Sequence, residues 1–120
     1  MAHMTAAHKV SKDMQDCIDE CTRCHAICLS TVRHCLESGG AHAEAEHIIA
    51  LLECAEACGA SADAMLIGSP RHGRVCALCA EACRVCEESC RRLADDPAMK
   101  RCADACRACA EACERMARAA

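Results

Sequence analysis

The chain has 120 residues, with 18 acidic side chains against 14 Lys and Arg and a formal net charge of −4. It contains no Phe, Trp or Tyr, and Leu, Ile and Val together number 16, no more than Cys alone. An ordinary aliphatic or aromatic core is therefore excluded. The interspersed charges do not fit a self-repelling disordered chain either. No run of Lys and Arg is long enough to neutralise a phosphate backbone, and no ring is present to stack on a base, so nucleic acid is not an expected partner. The longest uncharged stretch is about ten residues, too short to span a bilayer, so no membrane partner is expected. Met1–Thr5 lacks a basic region followed by an apolar core, and residues 1–4 read as a cloning remnant. The expected location is cytoplasmic. In a reducing compartment, abundant cysteine points to metal or redox chemistry rather than disulfides.

Abundant Ala (26) with scarce Gly (5) and Pro (2) favours helix. Ser11 suits the N-cap of a first helix over 11–37. That helix carries Cys17, Cys21, Cys24, Cys28 and Cys35, with Met14 and Thr31 on the same seam. Ser38-Gly39-Gly40 stops it. A second helix over 41–67 carries Cys54 and Cys58, preceded on the seam by His47 and Leu51 and followed by Ser61 and Met65. Gly68 suits a left-handed residue after that helix, Ser69 an N-cap and Pro70 a first helical position. The third helix, over 70–94, carries Cys76, Cys79, Cys83, Cys86 and Cys90 between His72 and Leu93. Asp96 and Pro97 restart the chain, and a fourth helix over 97–118 carries Cys102, Cys106, Cys109 and Cys113 between Met99 and Met116.

Steps of three and four are the seam period of a helix packed in a bundle. Short connections between helices of matched length predict an all-α fold, an antiparallel up-down-up-down four-helix bundle with a cysteine-lined core, as a single domain over 1–120. Folding the helices about their turns stacks the seams into layers. Cys17, Met65 and His72 share one end. Cys21, Ser61, Cys76 and Met116 follow, then two full thiol layers: Cys24, Cys58, Cys79 and Cys113, and Cys28, Cys54, Cys83 and Cys109. Thr31, Leu51, Cys86 and Cys106 come next, and then Cys35, His47, Cys90 and Cys102, with Leu93 and Met99 beyond.

Leu or Ile at these positions would bury more apolar area, at ~25 cal/mol per Å², so sulfur is present for its chemistry. Soft thiolates select Cu(I), zinc or iron–sulfur clusters. Structural zinc sites are usually Cys-x-x-Cys knuckles on converging loops, whereas Cys21-Thr-Arg-Cys24 and its counterparts read as helix within longer arrays. Neither Pro follows a Cys, as ferredoxin runs require. Cu(I) accepts two or three sulfurs, so neighbouring thiolates can bridge successive ions. All 16 cysteines are candidate ligands, and bridging gives a capacity of roughly one Cu(I) per Cys.

These four Cys-lined helices, with steps such as Cys17–Cys21–Cys24–Cys28 and Cys102–Cys106–Cys109–Cys113, resemble the many-cysteine four-helix-bundle copper storage proteins. The resemblance spans roughly residues 10–118. It implies storage of many Cu(I) ions, no enzymatic role and a homotetramer, and the absence of an export signal is similar to the cytosolic branch. The second helix departs from the pattern, with Ser61 and Met65 where thiols would continue the array.

The Cys17 end gathers Met14, Met65, Met116 and His72, with His8 nearby, and reads as the entrance for copper. Alternatively those methionines simply fill the end of the core. The opposite end, with Leu36, Ile48, Leu51, Leu93 and Met99, reads as plugged. His47 is either a ligand or a hydrogen-bonded core histidine. His3, His25, His34 and His42 lie off the seams and read as surface residues. A zinc or cadmium buffer of metallothionein type and a thiol redox enzyme are the alternative functions. Whether a copper chaperone or exporter is a partner is not specified by these residues.

Overall fold

The computed structural model describes residues 10–119. Its helices are α1 (Lys12–Ser38), α2 (Ala45–Leu66), α3 (His72–Arg91) and α4 (Pro97–Ala119), with a short 3-10 turn at Gly40–Ala43. Among the described residues there is no strand. Each helix packs against two others, α1 on α2, α2 on α3, α3 on α4 and α4 back on α1, in a body of 45 × 25 × 18 Å. Contacts from Cys17 to Cys113 at one end and from Cys35 to Met99 at the other show α1 antiparallel to α4.

The helix ends follow from local chemistry. Ser11 caps α1, its Oγ accepting from the Met14 backbone N–H at 3.1 Å. Gly39 and Gly40 both take positive φ, +69° and +57°, and turn the chain into the 3-10 segment, so α2 begins at Ala45 rather than at 41. Gly68 takes φ +67° after α2. Ser69 accepts from the Arg71 backbone N–H rather than capping a helix opened by Pro70, and α3 starts at His72. Asp96 Oδ1 accepts from the Ala98 N–H at 2.9 Å, and Pro97 opens α4 where no N–H is needed.

One core cluster runs the length of the bundle. Its large fully buried side chains other than Cys are Ile18, Leu51, Met65 and Met99. Buried alanines at 55, 80, 103, 105, 110 and 112 flank the thiols and let the helices approach closely. Outside, Arg84 forks onto both carboxylate oxygens of Glu114, at 3.0 and 3.1 Å, and reaches Glu87. Arg91 bridges Glu87 and Asp104, so two arginines lace α3 to α4.

Candidate metal centre

Every cysteine in the chain is fully buried, with no exposed area, and every one is free. Along most of the bundle their sulfurs approach one another to 3.5–4.0 Å from helix to helix. At one end Cys113 sits 3.7 Å from Cys17 and 3.5 Å from Cys21, and Cys76 completes a three-sulfur group with Cys17 and Cys113. Cys109 then joins Cys21 at 3.6 Å to Cys58 at 3.7 Å. Cys58 contacts Cys79 and Cys83, and Cys83 contacts Cys54 at 3.6 Å. Cys54, Cys24 and Cys28 gather around Cys106, within 3.9–4.0 Å of it.

Four groups of four thiols have all their sulfurs within 4.8 Å of one another: Cys21 with Cys79, Cys109 and Cys113; Cys24 with Cys58, Cys83 and Cys109; Cys24 with Cys28, Cys54 and Cys106; and Cys28 with Cys86, Cys102 and Cys106. Neighbouring groups share members, Cys24, Cys28, Cys106 and Cys109 each belonging to two. Shared corners suit bridging thiolates, each gripping two ions, better than isolated four-ligand sites.

The register of α4 differs from the layers expected from sequence. Cys113 lies beside Cys17 and Cys21 rather than Cys24, and Cys106 beside Cys24 and Cys28 rather than Thr31. Against α1, α4 sits one seam step nearer the Cys17 end. Two causes combine. α3 ends at Arg91, so the turn before Pro97 is longer than a simple reversal. Knobs also settle between, not level with, the residues they face. Between α2 and α3 the pairs Cys58–Cys79, Cys54–Cys83 and Ser61–Cys76 stand opposite one another.

The shift changes the Cys35 end. Cys102 moves to the group of Cys28, Cys86 and Cys106, and Met99 takes its place, its Sδ 3.8 Å from Cys35 Sγ. Cys35 Sγ also lies 3.4 Å from His47 Nε2, and His47 Nδ1 lies 2.7 Å from Ser89 Oγ. One thiol, one imidazole and one thioether thus converge, with the buried Ser89 hydroxyl orienting the ring. Met99 is a site residue that the sequence reading missed, because it was placed beyond the last layer. Leu36, expected as part of a plug, is 58% exposed and points away from the core.

At the Cys17 end Met65 and Met116 are buried in the core cluster and Met14 packs against it. His72 is half-buried, its Nδ1 donating to the Ser69 carbonyl at 3.0 Å, which leaves Nε2 free of that bond. Ser61 Oγ stands where a thiol would continue the array, 3.2 Å from Cys76 and 3.8 Å from Cys113. His3 and His8 lie outside the described residues. The other off-seam histidines are not simple surface groups. His25 Nδ1 donates to the Ala55 carbonyl at 2.7 Å, and His34 and His42 both bond Asp96.

Burial pushes the Cys35 thiol up to about 11, with nearby charge at Cys102 adding to it. Cys76 rises to about 12, first through its hydrogen bond to Cys113. Cys90 rises through hydrogen bonds to Cys102 and Cys86, and Cys106 and Cys109 rise through theirs to Cys102 and Cys113. Cys24, Cys54 and Cys102 are held down, each first by Cys106. A thiolate formed in the array is therefore stabilised by the S–H groups around it. Burial lowers His47, favouring the neutral ring that a soft ion needs.

Comparison with known proteins agrees with this geometry. The family model described as "Csp: Copper storage protein" matches residues 10–118. The chain is similar to the Nmul_A1745 protein of Nitrosospira multiformis, at 41% identity and TM-score 0.87, over 92% of this chain and 100% of that one. It is also similar to the Cu(I)-bound copper storage protein BsCsp3 of Bacillus subtilis, at 35% identity and TM-score 0.82, over 88% and 99%. The copper storage protein Ccsp of Streptomyces lividans, solved loaded with 10 copper equivalents, aligns at 26% identity and TM-score 0.80, over 93% of both chains. No match was found among curated protein sequences. A bundle whose sealed interior is lined by every cysteine it has, and whose sequence fits the family model from Val10 almost to its end, belongs to the copper storage protein family.

Proposed function

We propose that this protein stores Cu(I) in its core, with all 16 cysteines as ligands and a capacity of roughly one ion per thiol. The observation that carries the reading is the series of buried sulfurs, many 3.5–4.0 Å apart, whose four-thiol groups lie within 4.8 Å and share members. The charge balance favours Cu(I) over zinc. One thiolate per Cu(I) leaves a neutral interior, whereas four thiolates around Zn(II) leave two negative charges buried at each site, which is costly. His47 and Met99 serve with Cys35 as a mixed-donor station at one end, and Met65, His72 and Met116 supply weaker donors at the other. The convergence of Cys35, His47 and Met99 supports an entrance at that end as well as the one expected near Cys17.

This reading places the chain in the cytosol, where so many neighbouring thiols stay reduced. It assigns no catalytic step. Copper is the partner. Among the described residues no helix is long and apolar enough to cross a membrane. Leu52, Leu78 and Val85 are exposed along the groove between α2 and α3 and support assembly of identical chains, consistent with the homotetramer implied by the resemblance.

The test is titration of reduced, metal-free protein with Cu(I) against a chromophoric chelator. The expected result is tightly held copper near the thiol count. Saturation at one or two ions overturns the reading, and saturation near one Zn(II) per four thiols with no preference for Cu(I) supports the zinc buffer instead.

A further inference from the structure

His34, His42 and Asp96 come from three different segments and meet at one point. His34 is in the last turns of α1, His42 is in the 3-10 turn, and Asp96 precedes α4. His34 Nε2 lies 2.6 Å and His42 Nε2 3.0 Å from the same oxygen, Asp96 Oδ2. A carboxylate oxygen only accepts, so both imidazoles now donate N–H to it. The two rings are edge to face with centroids 5.9 Å apart. Asp96 Oδ1 is held by the Ala98 N–H, which fixes the carboxylate orientation. The side chains are 41%, 22% and 22% exposed, so the cluster opens to water.

We infer that His34, His42 and Asp96 form a binding site for a borderline divalent cation of the zinc class, separate from the thiol store. Two imidazole nitrogens and a carboxylate oxygen suit Zn(II) and Co(II), with water completing the shell, whereas soft Cu(I) prefers sulfur. Binding replaces two N–H···O bonds. Each neutral ring moves its single proton from Nε2 to Nδ1 by exchange with solvent, and the freed Nε2 lone pairs turn to the cation beside Oδ2. The cation also lies at the carbonyl end of α1, where positive charge is favoured. Once bound, it ties the α1–α2 connection to the start of α4 over the Cys35 end. The site does not depend on the copper reading.

The experiment uses chain first saturated with Cu(I), so that its thiols are occupied, and then titrated with Co(II) alone. The copper count in the first step tests the storage reading independently. One Co(II) per chain is expected, with weak d–d bands of nitrogen and oxygen ligation and no sulfur charge-transfer band. His34→Ala is expected to weaken binding at least about tenfold. Asp96→Asn, which keeps an oxygen for the α4 cap, is expected to do the same, and both leave the Cu(I) count unchanged. No Co(II) binding, a thiolate charge-transfer band, or affinity unchanged in both variants overturns the inference.

Discussion

At the scale of single residues, Ser61 and His47 carry the sharpest expectations. Ser61 is fully buried between Cys76 and Cys113 and is the one break in the thiol lining at that level. Ser61→Cys is expected to raise bound Cu(I) by about one per chain in the chelator titration, because the new sulfur reaches two existing ligands. His47→Ala leaves Ser89 and Cys35 without their shared partner. It is expected to lower the count by about one ion and to speed copper loss to an excess of chelator, while Met99→Leu, which keeps the bulk, gives the same loss without a large fall in stability. The cysteine lining of the core was legible from residue type and spacing. The roles of Met99, His25, His34 and His42 were not. Each depends on which residue of a distant helix stands opposite, and helical periodicity says nothing about that.

At the scale of helices, α3 and α4 are joined outside by the Arg84–Glu114 fork and the Arg91 bridge. Arg84 is 41% exposed, so Arg84→Ala is expected to cost only about 0.5–1 kcal/mol, read as a small fall in the denaturation midpoint with the copper count unchanged. Ser11→Ala removes the α1 cap and is expected to cost about 1 kcal/mol in the same assay. Helix existence and facing were legible because Cys recurs at threes and fours while charges fall between. Axial register was legible where one residue pair, such as Cys54 and Cys83, fixes it through a compact connection. It failed for α4 because Asp96-Pro97 marks where the helix restarts and not how far the preceding turn carries the chain.

For the whole molecule, the thiols govern the response to pH. Cys35 is raised from 9.0 to about 11 by burial, so between those values the unfolded chain loses a proton that the native chain retains. The unfolded state is thereby favoured, and metal-free protein is expected to lose stability as pH rises from about 9 towards 11. Denaturant midpoints measured under reducing conditions across that range check the sign. Cu(I)-loaded protein, whose sulfurs have already given up their protons, is expected to show no such decline. At neutral pH, loading is expected to release protons, fewer than one per thiol because Cys24, Cys54 and Cys102 are held down in the metal-free array, measurable in weakly buffered solution. The same seam that sets these properties repeats along the bundle axis, with each level contacting only the levels beside it. Capacity is then a matter of length. One heptad inserted at matching positions of all four helices adds ~10 Å and, with two seam cysteines per helix, about eight thiols, leaving both ends and their polar residues as they are. The interior is extensible, a vessel whose volume is set by the number of stacked thiol levels rather than by a bespoke cavity.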